Sequence, residues 1–205
     1  MLLMPPGGGP LFAHTLVTRG SRFRDKPVTM ELLGDLRVDP FASLDNMRLT
    51  DEEMQASEVV RFAAAGGRTI VDPTGRGVGR RVQGQRAVSE RTGINIVAAT
   101  GWYLEPSHPA EVKMAMVPEL CDIMVQEIMV GIEGSGVRAG IIGEIGISRA
   151  FTPQEEKVLR AAARAQRATQ VPLMVHLPSR GKYGERVLDI IAEEGVIVVR
   201  RSCVT

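Results

Sequence analysis

Two polar residues set inside apolar runs are the strongest chemical signal in this chain. Residues 139–151 read Ala-Gly-Ile-Ile-Gly-Glu-Ile-Gly-Ile-Ser-Arg-Ala-Phe, with Glu144 as the one carboxylate. Charged groups are rarely buried unless something pairs with them or binds them. A short apolar segment flanked by glycines reads as a buried parallel strand, and Glu144 falls near its C-terminal end, where α/β sheets place their chemistry. Taken alone, Glu144 reads equally well as a salt-bridged structural carboxylate. Residues 171–178, Val-Pro-Leu-Met-Val-His-Leu-Pro, repeat the pattern one helical connection later, with His176 in the equivalent position. A carboxylate and an imidazole at the same level of adjacent strands point into one space, and both are metal-competent. His108, between Ser107 and Pro109, reads as an exposed loop histidine.

The elements that must position this pair follow from the pattern on either side. A strand over 68–71 ends at Asp72, Pro73 and Thr74. Gly75, Gly77 and Gly79 then form a tight strand-to-helix turn without the spacing of a dinucleotide fingerprint. A helix over 82–92 stops at Gly93, and a strand over 94–99 leads into a loop that opens with Thr100, Gly101, Trp102 and Tyr103. Thr50 with Glu53 makes a capping box for a helix whose stripe is Met54, Val59, Phe62 and Ala63, and which ends at Gly66. Helical spacing of Leu120, Ile123, Met124, Glu127, Ile128 and Ile132 predicts a long helix, broken near Pro118, whose methionines fill the core. Thr152, Pro153 and Glu155 start another, running to about Thr169. A helix over 183–194 stops at Gly195, and a last strand begins over 196–199. Near the start, Pro and Gly at 5–10 break the chain, 11–17 reads as a short strand containing His14, and 26–46 as loop with short helical turns.

Strands alternating with helices specify parallel βαβ units with right-handed crossovers. Both a doubly wound sheet and a barrel fit that alternation. Polar residues at successive strand ends, Asp72 with Thr74, Thr100, Glu144 and His176, favour the barrel, whose strand ends converge on one mouth. The expected fold is therefore α/β, a partial (β/α)8 barrel of about five or six parallel strands with flanking helices, since a whole barrel takes about 250 residues. We expect residues 1–25 to be a poorly ordered or divergent segment and 26–205 the incomplete barrel domain.

Charge and cysteines narrow the function classes. A net charge of +1 over 205 residues leaves little electrostatic case for nucleic acid. Arginines cluster at Arg19, Arg22 and Arg24 and at Arg76, Arg80 and Arg81, and read as solvated faces or anion contacts. One alternative function is an anion site made by Gly75, Gly77, Gly79 and Arg80. Cys121 and Cys203 lack metal-like spacing and fit a reducing, cytoplasmic compartment. No apolar run reaches membrane-spanning length, and no basic leader precedes the apolar opening.

Several stretches together resemble one family. Lys26-Pro27-Val28-Thr29, residues 45–51 (Asp-Asn-Met-Arg-Leu-Thr-Asp), residues 66–72 (Gly-Gly-Arg-Thr-Ile-Val-Asp), Gly140 to Gly146 and Val175-His176 are similar to phosphotriesterase-related proteins of the amidohydrolase superfamily. The similarity runs from about Lys26 to Gly195, and Gly-Ile-Ile-Gly-Glu-Ile-Gly is its most specific part. The resemblance implies a metal-dependent hydrolase on a (β/α)8 barrel with two metals, zinc foremost, held by a first-strand His-x-His pair, a fourth-strand carboxylate, histidines on the fifth and sixth strands and an eighth-strand aspartate. Glu144 matches the bridging glutamate and His176 the fifth-strand histidine, which makes them the expected catalytic metal ligands. Tyr103 resembles an aromatic that lines the substrate pocket in some members.

The chain also departs from that pattern. It contains no His-x-His, and the sixth-strand histidine and eighth-strand aspartate have no counterpart. Residues 199–205 diverge as well, as a truncated or frame-shifted reading frame would. Catalytic zinc usually has three protein ligands, so His14 would be needed as the third. Two readings result. One is a metal-dependent hydrolase cleaving an ester, lactone, phosphotriester or amide bond of a small molecule, inactive where ligands are missing. The other is a non-catalytic partial barrel whose open sheet edges are covered by association with another chain, such as a second copy.

Overall fold

A computed structural model describes residues 22–39, 42–178 and 181–197. His14 and the strand expected around it, Arg19, Cys203, and Val198 with Val199 lie outside the described residues.

The chain before residue 50 carries the expected short helical turns among its described residues, a 3-10 turn Met30–Leu32, helix α1 (Leu33–Val38) and a second 3-10 turn Asp45–Met47. Helix α2 (Glu52–Ala64) starts one residue later than the capping box suggests. Asp51 is the cap, its carboxylate accepting from the backbone N–H groups of Glu53 and Met54. That phase turns Ala56 and Val59 inward, against Val88 and Ile94, and leaves Met54 and Phe62 exposed, so the expected apolar stripe is only partly the buried face.

Strand β1 (Thr69–Asp72), helix α3 (Val82–Thr92) and strand β2 (Asn95–Thr100) follow as expected, with Gly93 in the left-handed conformation closing α3. The next helical region divides into α4 (Ala110–Met114) and α5 (Val117–Met129). The break lies at Ala115 and Met116, ahead of Pro118, which sits in the first turn of α5 where a missing N–H costs nothing. A 3-10 turn Ile132–Gly134 leads to strand β3 (Ile141–Gly146). Helix α6 (Pro153–Thr169) has the predicted capping box, Thr152 accepting from the Glu155 N–H while Glu155 accepts from the Thr152 N–H. Strand β4 (Leu173–His176) and helix α7 (Gly184–Glu193) complete the order.

The sheet is parallel throughout, in the order β1-β2-β3-β4, four strands curled as half of a barrel. These are the strands among the described residues; the one expected over 11–17 lies outside them. Val196 and Ile197 form no strand, and Ile197 is largely exposed. Register runs Thr69↔Asn95 to Asp72↔Ala98, then Ala99↔Ile141, then Ile142↔Leu173 and Gly146↔His176. The core lies between the sheet and α5 and α6, with Trp102, Leu120, Met124, Ile142, Ile145 and Leu159 fully buried. Ala161, Ala162, Ala163 and Ala165 give α6 a thin buried face, which lets it pack closely on α5. Of the methionines in this region, Met124 is core while Met114, Met116 and Met129 are exposed.

Two of the strand-end polar groups belong to structural networks. Asp72 accepts from the Thr74 hydroxyl at 2.6 Å and from Gln85 Nε2 at 2.7 Å, and all three residues are buried. Thr100 donates to Glu127 Oε2 at 2.6 Å. The same carboxylate takes both terminal nitrogens of Arg80, each at 2.7 Å, while Arg80 also donates to Ala99 O and Glu133. Arg80 is thus neither a solvated face nor an anion site. Its side chain is 2% exposed, and its charge is neutralised by acidic partners from α5 and from the turn after it. Burial pulls the guanidinium towards losing its proton, but hydrogen bonding and attraction from Glu127 and Glu133 win and raise its pKa. Arg76 pairs with Glu111 and Glu133, and Arg81 with Glu52.

Removing one partner of a buried pair leaves an uncompensated charge, at a typical cost of about 3–5 kcal/mol. Glu127→Ala is therefore expected to lower unfolding free energy by about that amount, and urea denaturation followed by circular dichroism would show it.

Candidate functional site

The site is built where β3 and β4 end. A bulge between Ile142 and Ile145 breaks the ladder with β4 just before Glu144, and the Glu144 N–H crosses to Pro73 O, after β1, at 3.2 Å. Gly143 has φ 122°, and a Cβ there would run into the carbonyl of Met174 on β4. At the other side of Glu144, a Cβ on Gly146 would lie 2.6 Å from Leu104 N. The loop following β2 therefore passes directly against the end of β3. The glycines of Gly-Glu-Ile-Gly are what permit both approaches.

On this frame the two expected residues meet. His176 Nδ1 lies 3.0 Å from Glu144 Oε1, with the side chains 41% and 32% exposed, so the pair faces an opening. The Tyr103 ring stands edge-on to His176, with centroids 5.2 Å apart and planes at 70°. Burial pushes the Tyr103 phenol up to about 12, and the charge of Glu144 adds to the rise. At neutral pH Tyr103 therefore keeps its proton.

His108 departs from expectation. It is 7% exposed, with Nε2 donating to Tyr103 O at 2.8 Å and Nδ1 without a partner. The 3-10 turn Glu105–Ser107 folds His108 back beneath Tyr103, and burial lowers its pKa. A second residue has a larger role than its capping motif shows. Glu155 is fully buried, and besides Thr152 its carboxylate accepts from Ser148 N–H, the Ser148 hydroxyl and the N–H of Glu105. Proline after His108 and a cap glutamate were the available signals, and neither specifies burial.

Glu144 and His176 offer one carboxylate and one imidazole, donor types that suit a zinc-like ion. Among the described residues no group of three or more His, Cys, Asp or Glu side chains could hold a metal ion. The pair fits one side of a metal site, and His14 lies outside the described residues.

The phosphotriesterase family model matches residues 20–204. The chain belongs to the phosphotriesterase family. A phosphotriesterase-related protein of Nematostella vectensis is 40% identical over 83% of this chain and 49% of its own length. The N-acetyltaurine hydrolase of Xenopus tropicalis is 33% identical over the same shares. Among solved structures, the resiniferatoxin-binding protein of Rhodobacter sphaeroides superposes with a TM-score of 0.83 at 41% identity, over 96% of this chain and 52% of that one. The lactonase Lmo2620 of Listeria monocytogenes does so at 0.68 and 30%, over 73% and 51%. The chain spans about half the length of the curated relatives it matches. The family's structures are TIM barrels and its members are typically metal-dependent, so Glu144 and His176 lie on a half-barrel of that type.

Removing the charge of Glu144 should ease Tyr103 ionisation. In a Tyr183→Phe background, Glu144→Gln is expected to lower the Tyr103 midpoint from about 12 while leaving it above the ordinary value, because burial is the larger cause. Absorbance titration of the phenolate would measure it. The raised pKa also fixes the alkaline behaviour. Tyr103 contributes stability that is full below the unfolded-state value of about 10 and is lost as pH rises through about 12.

Proposed function

We propose that this chain is a metal-dependent hydrolase of the phosphotriesterase-related type, cleaving an ester, lactone, phosphotriester or amide bond in a small molecule. The juxtaposition of Glu144 and His176 at neighbouring strand ends, beneath Tyr103, carries the reading. Family membership supports the reaction class. An amide-cleaving relative and a lactonase among the matches support carbonyl substrates.

In this reading Glu144 and His176 hold a divalent ion, zinc by donor preference, with His14 as a further ligand, and residues 26–205 form the domain that presents them. Such an ion, when bound, polarises the scissile oxygen and lowers the pKa of a water. Tyr103 supplies an aromatic wall and a protonated hydroxyl, suited to donate a hydrogen bond to a substrate oxygen. The loop bearing it narrows the opening and limits water around the bond to be cleaved. Glu144, paired with His176, keeps the imidazole turned towards the mouth.

The shortage of donors among the described residues favours one other reading, a non-catalytic half-barrel that works by associating with another chain. Among the described residues no helix is long and apolar enough to cross a membrane.

Elemental analysis separates the two. Purified protein dialysed against trace zinc is expected to retain about one or more ions per chain, falling to background in the Glu144→Ala, His176→Ala double variant. Hydrolysis of a panel of N-acyl amino sulfonates, lactones and phosphotriesters should then follow metal content. A parent protein that takes up no metal and cleaves none of the panel would decide for the non-catalytic reading.

A further inference from the structure

We propose that Arg149, on the loop after β3, receives an anionic group of the substrate, a carboxylate or sulfonate set apart from the scissile bond. This rests on the reading of Glu144 and His176 as a hydrolytic site and adds the charge of the molecule that site accepts.

The loop over residues 147–152 leaves β3 directly after Glu144, Ile145 and Gly146. Its first residue is tied to the other half of the pair, since the Ile147 N–H bonds the His176 carbonyl at 2.9 Å. Arg149 follows two residues later. Two residues of chain span at most about 7 Å, and the long arginine side chain adds to that, so a small molecule seated on Glu144 and His176 lies within its reach.

Surface loops are ordinarily mobile, but this one is held on both sides of Arg149. Ser148 gives its N–H and its hydroxyl to Glu155 Oε2 at 3.0 and 2.8 Å. The Arg149 carbonyl itself accepts from the Tyr183 hydroxyl, at the start of α7. Phe151 then closes the turn at φ 41°, in the left-handed region that bulky side chains seldom adopt. Its neighbours impose that conformation. The Phe151 ring is buried, stands edge-on to Tyr183 with centroids 6.1 Å apart, and lies 4.7 Å beneath the Arg186 guanidinium, which also bonds Glu156. Strain of this kind persists only where the surroundings over-determine it, and it gathers at functional sites. All these contacts fix the backbone and leave the Arg149 side chain free.

That side chain is exposed and has no ionic partner among the described residues. The other described arginines in the loops after the strands are already committed. Arg76, Arg80 and Arg81 each have a glutamate partner. Glu144 is itself engaged with His176 at 3.0 Å and makes no pair with Arg149. A guanidinium offers a planar fork of N–H donors that fits two oxygens of an oxyanion. The mouth thus presents one uncommitted fork on a fixed backbone, beside the pair that would hold the reacting bond. Lys182, on the loop after β4, is also exposed and without an ionic partner among the described residues, but its ammonium is a flexible point charge.

The test measures binding to the full chain with chelator present, so that neither metal uptake nor turnover enters. The probes are N-acetylglycine and acetamidomethanesulfonate, which carry a carboxylate and a sulfonate on the same acyl group, and the neutral N-acetylglycinamide. Each is titrated while the His176 ring resonance is followed, which locates binding at the mouth. The parent is expected to bind at least one anion about fivefold more tightly than the amide, the upper end for an exposed ion pair, and added salt should shrink that ratio. The anion with the larger ratio identifies the group. Arg149→Gln is expected to bring the ratio near one while leaving the amide's affinity in place, whereas Lys182→Gln should keep most of it. Near-ultraviolet circular dichroism of buried Trp102 checks the fold of each variant. A parent that binds neither anion better than the amide, absence of all binding included, would overturn the proposal. So would a preference that survives Arg149→Gln, or one that Lys182→Gln removes equally, since that marks only the general field of the surface. A protein that takes up no metal would sink the hydrolase reading and leave this ratio measurable, and a ratio near one in the parent leaves the metal measurement standing.

Discussion

The close passage of backbone against strand β3 is the constraint on which the site depends. At Gly143 the carbonyl of β4 comes where a side chain would stand, and at Gly146 the loop after β2 does the same. Any larger residue would push these segments outward and separate Glu144, His176 and Tyr103, which come from three different strands or strand ends. Glycine here costs conformational entropy on folding and weakens the strand. That cost is accepted at the one strand where three segments must crowd together.

Around this crowded strand, buried polar groups hold neighbouring loops in register. Arg80 and Glu127 join the turn after β1 to helix α5 and capture Thr100 at the end of β2. Glu155 joins the loops after β2 and β3. Each carboxylate has several donors, so the desolvation that makes a buried charge expensive is largely met by hydrogen bonds. The polar strand-end residues thus divide into two kinds. Asp72 and Thr100 are closed off and structural, while Glu144 and His176 remain open to an approaching molecule.

How much of this could be read in the sequence follows from what kind of pattern each feature leaves. Helices α3 and α6 and strands β1 to β4 declare themselves through periodicity, glycine stops and capping residues, because those are local rules. Glu144 and His176 stand out as polar residues at one level of successive strands, and their meeting follows from parallel topology. Arg80 reads as a solvated face or anion contact and His108 as an exposed loop residue, and both are buried, because burial of a charged or titratable group depends on tertiary structure, a distant partner, Glu127, in one case and a loop reversal in the other. Thr50 reads as a cap and Asp51 is the cap, since both residue types cap helices and only the helix phase decides. Phe62 falls on the apolar stripe by its spacing, yet the helix turns Ala56 and Val59 inward and leaves Phe62 exposed.

The order of the strands carries a consequence of another kind. Because β1, β2, β3 and β4 are neighbours in the same sequence as they are made, each βα unit docks on one already present. Among the described strands none waits for a partner made much later, which keeps loop-closure entropy low at each of these steps. A chain built this way can assemble progressively as it leaves the ribosome, with each completed strand serving as the template for the next.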